Sequence, residues 1–414
     1  MHHFKYCNHE LYCEDVRVSD IAKETGTPVF IYSKNTALDH FKKLDQAFAS
    51  VDHLICYSIK ANSNLALCHA MAQAGCGADI VSGGELYRAL KAGFPNDKIV
   101  YAGVGKTREE IRYALENDIF MFNVESFPEA QTINEEALAL GKKARVAIRV
   151  NPDVNAHTHD YITTGKKENK FGINFHDAPE FYKNLVSMPG LDVAGIHLHI
   201  GSQILTPGPY TDSVRRGISL VQQLKAMNIP LSIINIGGGM GIIYKDEEPM
   251  DAQEFAADVI PLVKDMNCKI VMEPGRHIVG NAGILVSKVV YIKETPVKKF
   301  IIQDAAMTDL IRPCLYDAYH EIKPLVESPD RPVNHKDVVG PVCESSDFFA
   351  KDRHLQDMES GEYLAVMSAG AYGFVMSSNY NSRPRACEVL VDGNQWRIVR
   401  KRETLEDLIR GEVL

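Results

Sequence analysis

Apolar residues along the chain gather into short, β-branched-rich runs separated by longer stretches with helical spacing of apolar and polar positions. The runs are Leu54–Lys60, Ala78–Val81, Lys98–Ala102, Ile119–Val124, Arg145–Val150, Val193–His199, Ser232–Ile236 and Lys269–Met272. Apolar side chains fill successive positions in them, which predicts strands buried on both faces. Leu65 to Ala74, Gly84 to Ala92, Thr107 to Asn117, Phe127 to Leu140 and Ala252 to Met266 read as helices. Strand and helix alternate eight times, the rhythm of a (β/α)8 TIM-type barrel. A doubly wound open sheet is the alternative that rhythm alone leaves standing.

Past about residue 280 the pattern changes. Val286–Ile292, Phe300–Asp304, Glu362–Met367 and Ala386–Val391 predict strands without long helices between them. Turn signals such as Asp392-Gly393 and Asn334-His-Lys separate them. The strand-like Val29–Tyr32 precedes the first barrel helix and is placed to pair with this β-rich part. The expected domains are therefore a barrel over 36–279 and a β-rich domain from 1–35 and 280–414. One polar stretch, Asp153 to Phe175, carries Gly165-Lys-Lys and Lys170-Phe-Gly172. A loop of that length inside a barrel is usually functional.

Composition adds exclusions. With 414 residues, 45% of them hydrophobic, the chain can bury one large core or two. A net charge of -9 and the absence of a basic block argue against nucleic acid. No run reaches membrane-spanning length, and the N-terminus lacks the apolar core of a signal peptide. Nine cysteines are scattered without a CxxC pair or zinc-like spacing, so free thiols in a reducing cytoplasm, and no metal site, are expected.

The active face of a barrel is at the C-terminal ends of its strands. Chemistry-bearing residues fall there: Lys60, Asp79, His197 and His199 with Gly201-Ser202, Gly237-Gly238-Gly239, and Glu273-Pro274-Gly275-Arg276. Each alone has a plain reading, a strand-end ion pair for Lys60 or a tight turn for the glycines. Together they suggest one ligand. The glycines can bring bare N–H groups against a phosphate, and Ser202 can add a hydroxyl. Lys60 has an amine that condenses with an aldehyde. Glu273 can keep a pyridine nitrogen protonated, and His199 can stack on a flat ring. A phosphate, an aldehyde and a pyridinium describe pyridoxal 5'-phosphate. In the β-rich part, Arg312 and, from the barrel, Arg276 are candidate carboxylate clamps, and Glu344 could hold an ammonium. A surface ion pair for Arg312 and a buried, inert thiol for Cys343 are the plainer alternatives.

Tyr57-Ser-Ile-Lys-Ala-Asn62, His197-Leu-His-Ile-Gly-Ser-Gln203, Gly237–Gly239, Glu273–Arg276, Arg312-Pro-Cys-Leu-Tyr316, Cys343-Glu344 and Ala369-Gly-Ala-Tyr372 carry a resemblance over nearly the whole chain. Residues 167–172 and Tyr380-Asn-Ser-Arg-Pro384 fit it too. The chain resembles the alanine-racemase-like, fold type III pyridoxal-phosphate decarboxylases, most closely the diaminopimelate decarboxylases. Ser58-Ile59 and Cys314 are small departures that leave the reactive types intact. The resemblance implies a barrel plus a β domain that includes the N-terminal segment. It implies a homodimer in which the partner's Cys343 and Glu344 complete each site. The implied reaction converts meso-2,6-diaminopimelate to L-lysine and CO2. Lys60, Glu273, His199 and Cys343 would be catalytic. Asp79, Ser202, Gly237–Gly239, Pro274, Gly275, Arg276 and Tyr372 would bind the cofactor. Arg276, Arg312, Tyr316, Glu344 and Tyr372 would grip the distal end of the substrate. The rivals are fold type III decarboxylases of ornithine, arginine or carboxynorspermidine, a racemase, and a non-catalytic regulatory homologue.

Overall fold

Eight parallel strands close on themselves in the computed structural model, which describes residues 2–154 and 171–414. They are His53–Ser58, Gly77–Ile80, Ile99–Tyr101, Met121–Val124, Ala144–Asn151, Leu191–His197, Ile233–Asn235 and Lys269–Met272. Each pairs in parallel with the next. The eighth returns to the first, with Ile270 opposite His53, so the sheet has no free edge. That closure excludes the open doubly wound sheet and establishes a TIM-type barrel.

The pattern was readable because these strands are buried on both sides. Cys56, Val100, Met121, Ala147, Ala194, Ile233 and Val271 form one interior cluster. Gly195 sits among them because a Cβ there would come within 2.9 Å of Ile233. Between strands, helices start on side-chain caps. Thr107 and Asp251 form reciprocal capping boxes with Glu110 and Glu254, and Ser82 and Ser126 accept from backbone N–H groups three residues on. Each cap typically contributes about 1 kcal/mol. Three helices beyond those read from the sequence complete the ring, Lys34–Ala47, Ala178–Val186 and Gly208–Ala226.

The chain divides into two compact units. One comprises residues 40–242 and 248–277, and the other residues up to 39, 243–247 and 278–414. No change of composition marks 243–247 as part of the second unit. Its central strand is Val29–Ser33, buried throughout, antiparallel to Gly283–Glu294 and parallel to Cys387–Asp392. The pairing expected for Val29–Tyr32 is therefore present. Lys299–Gln303, Val333–Val339 and Phe348–Gln356 extend the sheet one way, and Gln395–Arg400 extends it the other. Ile31, Ile284, Val286, Ala365, Val389 and Val391 anchor its core.

Two local expectations need comment. Asp392-Gly393 does turn a hairpin, with Asp392 opposite Gln395 and Gly393 at φ +63°. Asn334-His-Lys does not turn. It lies inside the strand Val333–Val339, where Lys336 is buried and pairs with Asp357 at 2.8 Å. Cross-strand partners absorb polar side chains that read locally as a loop. Most of the polar stretch at 153–175, including Gly165-Lys-Lys, lies outside the described residues. No described helix is long and apolar enough to cross a membrane.

Candidate active site

Lys60 stands one step beyond the first strand. The strand ends at Ser58, and Ile59–Ala61 forms a single 3-10 turn that carries the lysine. This corrects the expectation that Lys60 closes the strand itself. Its Nζ is 3.1 Å from Oδ2 of Asp79, on the neighbouring second strand. The Ser58 hydroxyl donates to the same oxygen. Asp79 is fully buried. Burial pushes its carboxyl up, and the Lys60 charge works against that. A half-exposed amine held against a buried carboxylate is an oriented nucleophile.

Glu273 follows the eighth strand and is caged. Nδ2 of Asn123, in the fourth strand, donates to its Oε1 at 2.8 Å, and Nδ2 of Asn235, ending the seventh, donates to the same atom at 2.6 Å. His197 Nε2, at the end of the sixth strand, lies 3.2 Å from Oε2. Burial alone would raise this carboxyl, yet His197, Lys60 and Asn235 outweigh it and hold it well below the ordinary range. His199 is lowered too, which for an imidazole favours the uncharged form. Burial lowers its imidazole well below 6.5, and the positive charges of Arg149 and Lys60 add to that. Its Nδ1 accepts the Gly238 N–H at 3.3 Å, which suits the neutral ring. His197, His199 and Glu273 offer atoms within 4.8 Å of one another. A cation could use them, and the same Glu273 carboxylate can accept a hydrogen bond from a protonated ring nitrogen.

The glycine loop differs from the bare cradle expected. Gly237 N–H donates to Oδ1 of Asn235 at 2.9 Å, and Gly238 N–H goes to His199. Among the described residues, Gly239 is the one of the three whose N–H is not engaged in this way. A Cβ on Gly238 would lie 2.0 Å from the Glu273 carbonyl oxygen, so the close approach is to the protein's own backbone. Ser202 is fixed beside it: Ile204 N–H donates to Gly239 O at 2.9 Å, and the Gln203 amide clasps both backbone groups of Ile242. Arg276 Nη2 donates to Ser202 Oγ at 3.1 Å. Pro274 and Gly275 close against the first strand, with Ser58 N–H on the Pro274 carbonyl.

In the second unit Arg312 opens the five-residue helix Arg312–Tyr316 and is buried, not on the surface. Its guanidinium lies 5.1 Å from the Tyr244 ring centroid and 5.9 Å from that of Tyr316. Nε donates to His320 Nε2 at 3.3 Å, while His320 Nδ1 meets the Met367 carbonyl at 2.8 Å. Two aromatic rings and the His320 bond restrict the rotamers open to this guanidinium. Cys343 is exposed, contrary to the buried-thiol alternative, and its N–H donates to Asn381 Oδ1 at 3.2 Å. Glu344 is exposed too, with Ser346 and Tyr380 lowering its carboxyl. Asp347 clamps this loop by accepting N–H bonds from Met307 and Val342. Tyr372 stands at φ +56°, in the left-handed region that residues other than glycine rarely adopt.

The structure thus brings Lys60, Asp79, His199, Ser202, Gly237–Gly239, Glu273 and Arg276 to the strand ends of the barrel. Arg312, Tyr316, Cys343, Glu344 and Tyr372 all belong to the other unit. Sequence reasoning missed Asn123 and Asn235, and named His197 without a role. The signal existed: each Asn is a lone amide inside an apolar run, costly unless it has a buried partner. The residues present fit pyridoxal phosphate. They supply an amine for its aldehyde, an ionised carboxylate for its ring nitrogen, a neutral imidazole for its face, and Ser202 and Arg276 for its phosphate.

Comparison with known proteins agrees. Residues 35–280 match the model of the pyridoxal-dependent decarboxylase, pyridoxal binding domain. The chain is 48% identical over 408 residues to the diaminopimelate decarboxylase of Aquifex aeolicus, covering 98% of this chain and 96% of that one. The crystal structure of diaminopimelate decarboxylase from Helicobacter pylori complexed with L-lysine is 42% identical, with TM-score 0.91 over 95% of this chain and 98% of that one. The M. jannaschii diaminopimelate decarboxylase in co-complex with L-lysine is 38% identical, with TM-score 0.95 over 99% and 98%. With caged Glu273, the Lys60–Asp79 pair and the glycine loop on one barrel mouth, and relatives this similar along their whole length, the chain belongs to the diaminopimelate decarboxylase family of pyridoxal-dependent decarboxylases.

Proposed function

We infer that the protein is a pyridoxal 5'-phosphate-dependent decarboxylase that converts meso-2,6-diaminopimelate to L-lysine and CO2, the last step of lysine synthesis. The observation that carries the chemistry is the caged carboxylate of Glu273 on the same barrel mouth as the Lys60–Asp79 pair. When bound, the cofactor supplies an electron sink for the pair left behind as CO2 departs. Lys60 holds it through the side-chain amine, and Asp79 orients that amine. Glu273 keeps a proton on the ring nitrogen, and neutral His199 covers the ring face. Gly237–Gly239, Ser202 and Arg276 would hold the phosphate, with Arg276 already bonded to Ser202 Oγ and Pro274 and Gly275 shaping the turn.

Substrate choice falls to the β-rich unit. Arg312, preorganised between two tyrosines, takes the distal carboxylate, assisted by Tyr316 and Tyr372 of the same unit. Glu344 takes the distal ammonium, and Cys343 delivers a proton to the reacting carbon. Both of the last two are exposed in a single chain, which supports a homodimer in which each chain completes its partner's site. Nine free cysteines fit a cytoplasmic enzyme. An ornithine-type substrate would leave buried Arg312 without a carboxylate. The test is product analysis after incubating the holoenzyme with meso-diaminopimelate, ornithine and arginine in parallel. L-lysine and CO2 from the first, with little turnover of the others, is expected; comparable turnover of ornithine would overturn the assignment.

A further inference from the structure

Two carboxamides at the barrel mouth have no task in the reaction just described. Asn123 and Asn235 are fully buried, on strands four and seven, and both aim Nδ2 at one oxygen of Glu273. We propose that Asn123 and Asn235 are positioning residues that hold Glu273 ionised and leave its Oε2 as the oxygen that faces the cofactor ring. This rests on the reading of Glu273 as the ring-nitrogen partner.

The donor arithmetic favours an anion. Two N–H donors on Oε1 bind the ionised carboxylate more strongly than the carbonyl oxygen of the neutral acid, which carries less charge. Both donors on Oε1 also fix which oxygen remains. Oε2 then has only the His197 ring at 3.2 Å among the contacts described. Lys60 lowers the Glu273 carboxyl as well, while Glu273 in turn raises that of Asp79. The two amides are themselves held. Lys106 Nζ, buried and paired with Glu129 at 2.6 Å, donates to the Asn123 carbonyl at 2.8 Å and fixes that strand end. Asn235 Oδ1 accepts the Gly237 N–H, so one side chain ties the carboxylate to the glycine loop. This side-chain link reinforces the backbone bond from the Glu273 N–H to the Gly237 carbonyl at 2.8 Å. Asn123 is the cleaner probe, because among the described residues its Oδ1 accepts no hydrogen bond and its side chain serves Glu273 alone.

The experiment uses the holoenzyme loaded with cofactor labelled with 15N in the ring, and reads ring protonation by NMR. In the wild type the protonated-ring signal is expected. In Asn123→Leu, where the proton passes to Glu273, that signal is lost while bound cofactor per chain stays at the wild-type level. The turnover number falls about ten- to hundred-fold with KM for diaminopimelate unchanged. If Asn123→Leu fails to fold, Asn123→Ala removes the same donor with less steric demand, and the same loss is expected. A variant that folds and keeps the protonated-ring signal overturns the proposal and makes the amide merely structural. An unprotonated ring in the wild type would instead refute the role of Glu273.

Discussion

The two units build their functional groups by different means. In the barrel, Asp79, Asn123, His197, Asn235 and Glu273 sit in or just beyond strands, so the parallel ladder fixes their positions to one another. In the β-rich unit, Arg312 lies on a single short turn and Cys343 and Glu344 on a loop clamped by Asp347. Their positions depend on side-chain hydrogen bonds rather than on a ladder. On the proposed roles, this difference separates two jobs. Chemistry that needs fixed distances is placed on strand ends, and recognition that varies between substrates is placed on loops.

The comparison breaks most visibly at Glu273. Glu273→Gln should lower the turnover number by roughly 10²–10³-fold, as for other preorganised electrostatic groups, while cofactor content per chain holds. An unchanged turnover number would remove the barrel's claim to the chemistry. Arg312→Ala tests the other side. Losing a charge-assisted hydrogen bond at a buried site costs about 1.5–3 kcal/mol, so KM for diaminopimelate should rise roughly ten- to hundred-fold. The cofactor absorbance should stay as in the wild type. A change of spectrum without a change of KM would reverse the division of labour.

Mixing inactive Lys60→Ala and Cys343→Ala proteins sharpens the picture further. Random exchange between dimers should restore about a quarter of wild-type activity, because one site in each mixed dimer has both groups. No recovery after verified exchange would place each site within one chain.

The smallest effect concerns pH. Burial pushes the Asp309 carboxyl, three residues before Arg312, up to about 7. From about pH 4 to 7 the folded chain keeps a proton that the unfolded chain has released, so this group's contribution to stability falls as pH rises through that window. An asparagine in its place would carry no such proton, and its amide oxygen can still accept the Ala306 N–H. Asp309→Asn should therefore raise Tm by about 2–4 °C at pH 8 and leave it unchanged at pH 4. Equal Tm differences at both values would rule out the titration.

The same contrast explains what could be read in the sequence. The eight barrel strands were legible because both their faces are buried, leaving continuous apolar runs that end in reactive residues. Lys60 and Glu273 stood out as charges at the ends of such runs. Asn123 and Asn235 were equally placed, but an amide draws less notice than a charge. The strands Val333–Val339 and Phe348–Gln356 were missed because their alternating polar side chains, His335 opposite His354 and Lys336 opposite Arg353, look like loop. The engagement of the Gly237 and Gly238 N–H groups was also hidden, since their partners Asn235 and His199 depend on three-dimensional packing.

Reductive trapping tests the central claim most directly. Borohydride treatment of the holoenzyme followed by peptide mapping should place the pyridoxyl group on Lys60. A label on any other lysine would contradict the register of the barrel and the chemistry built on it.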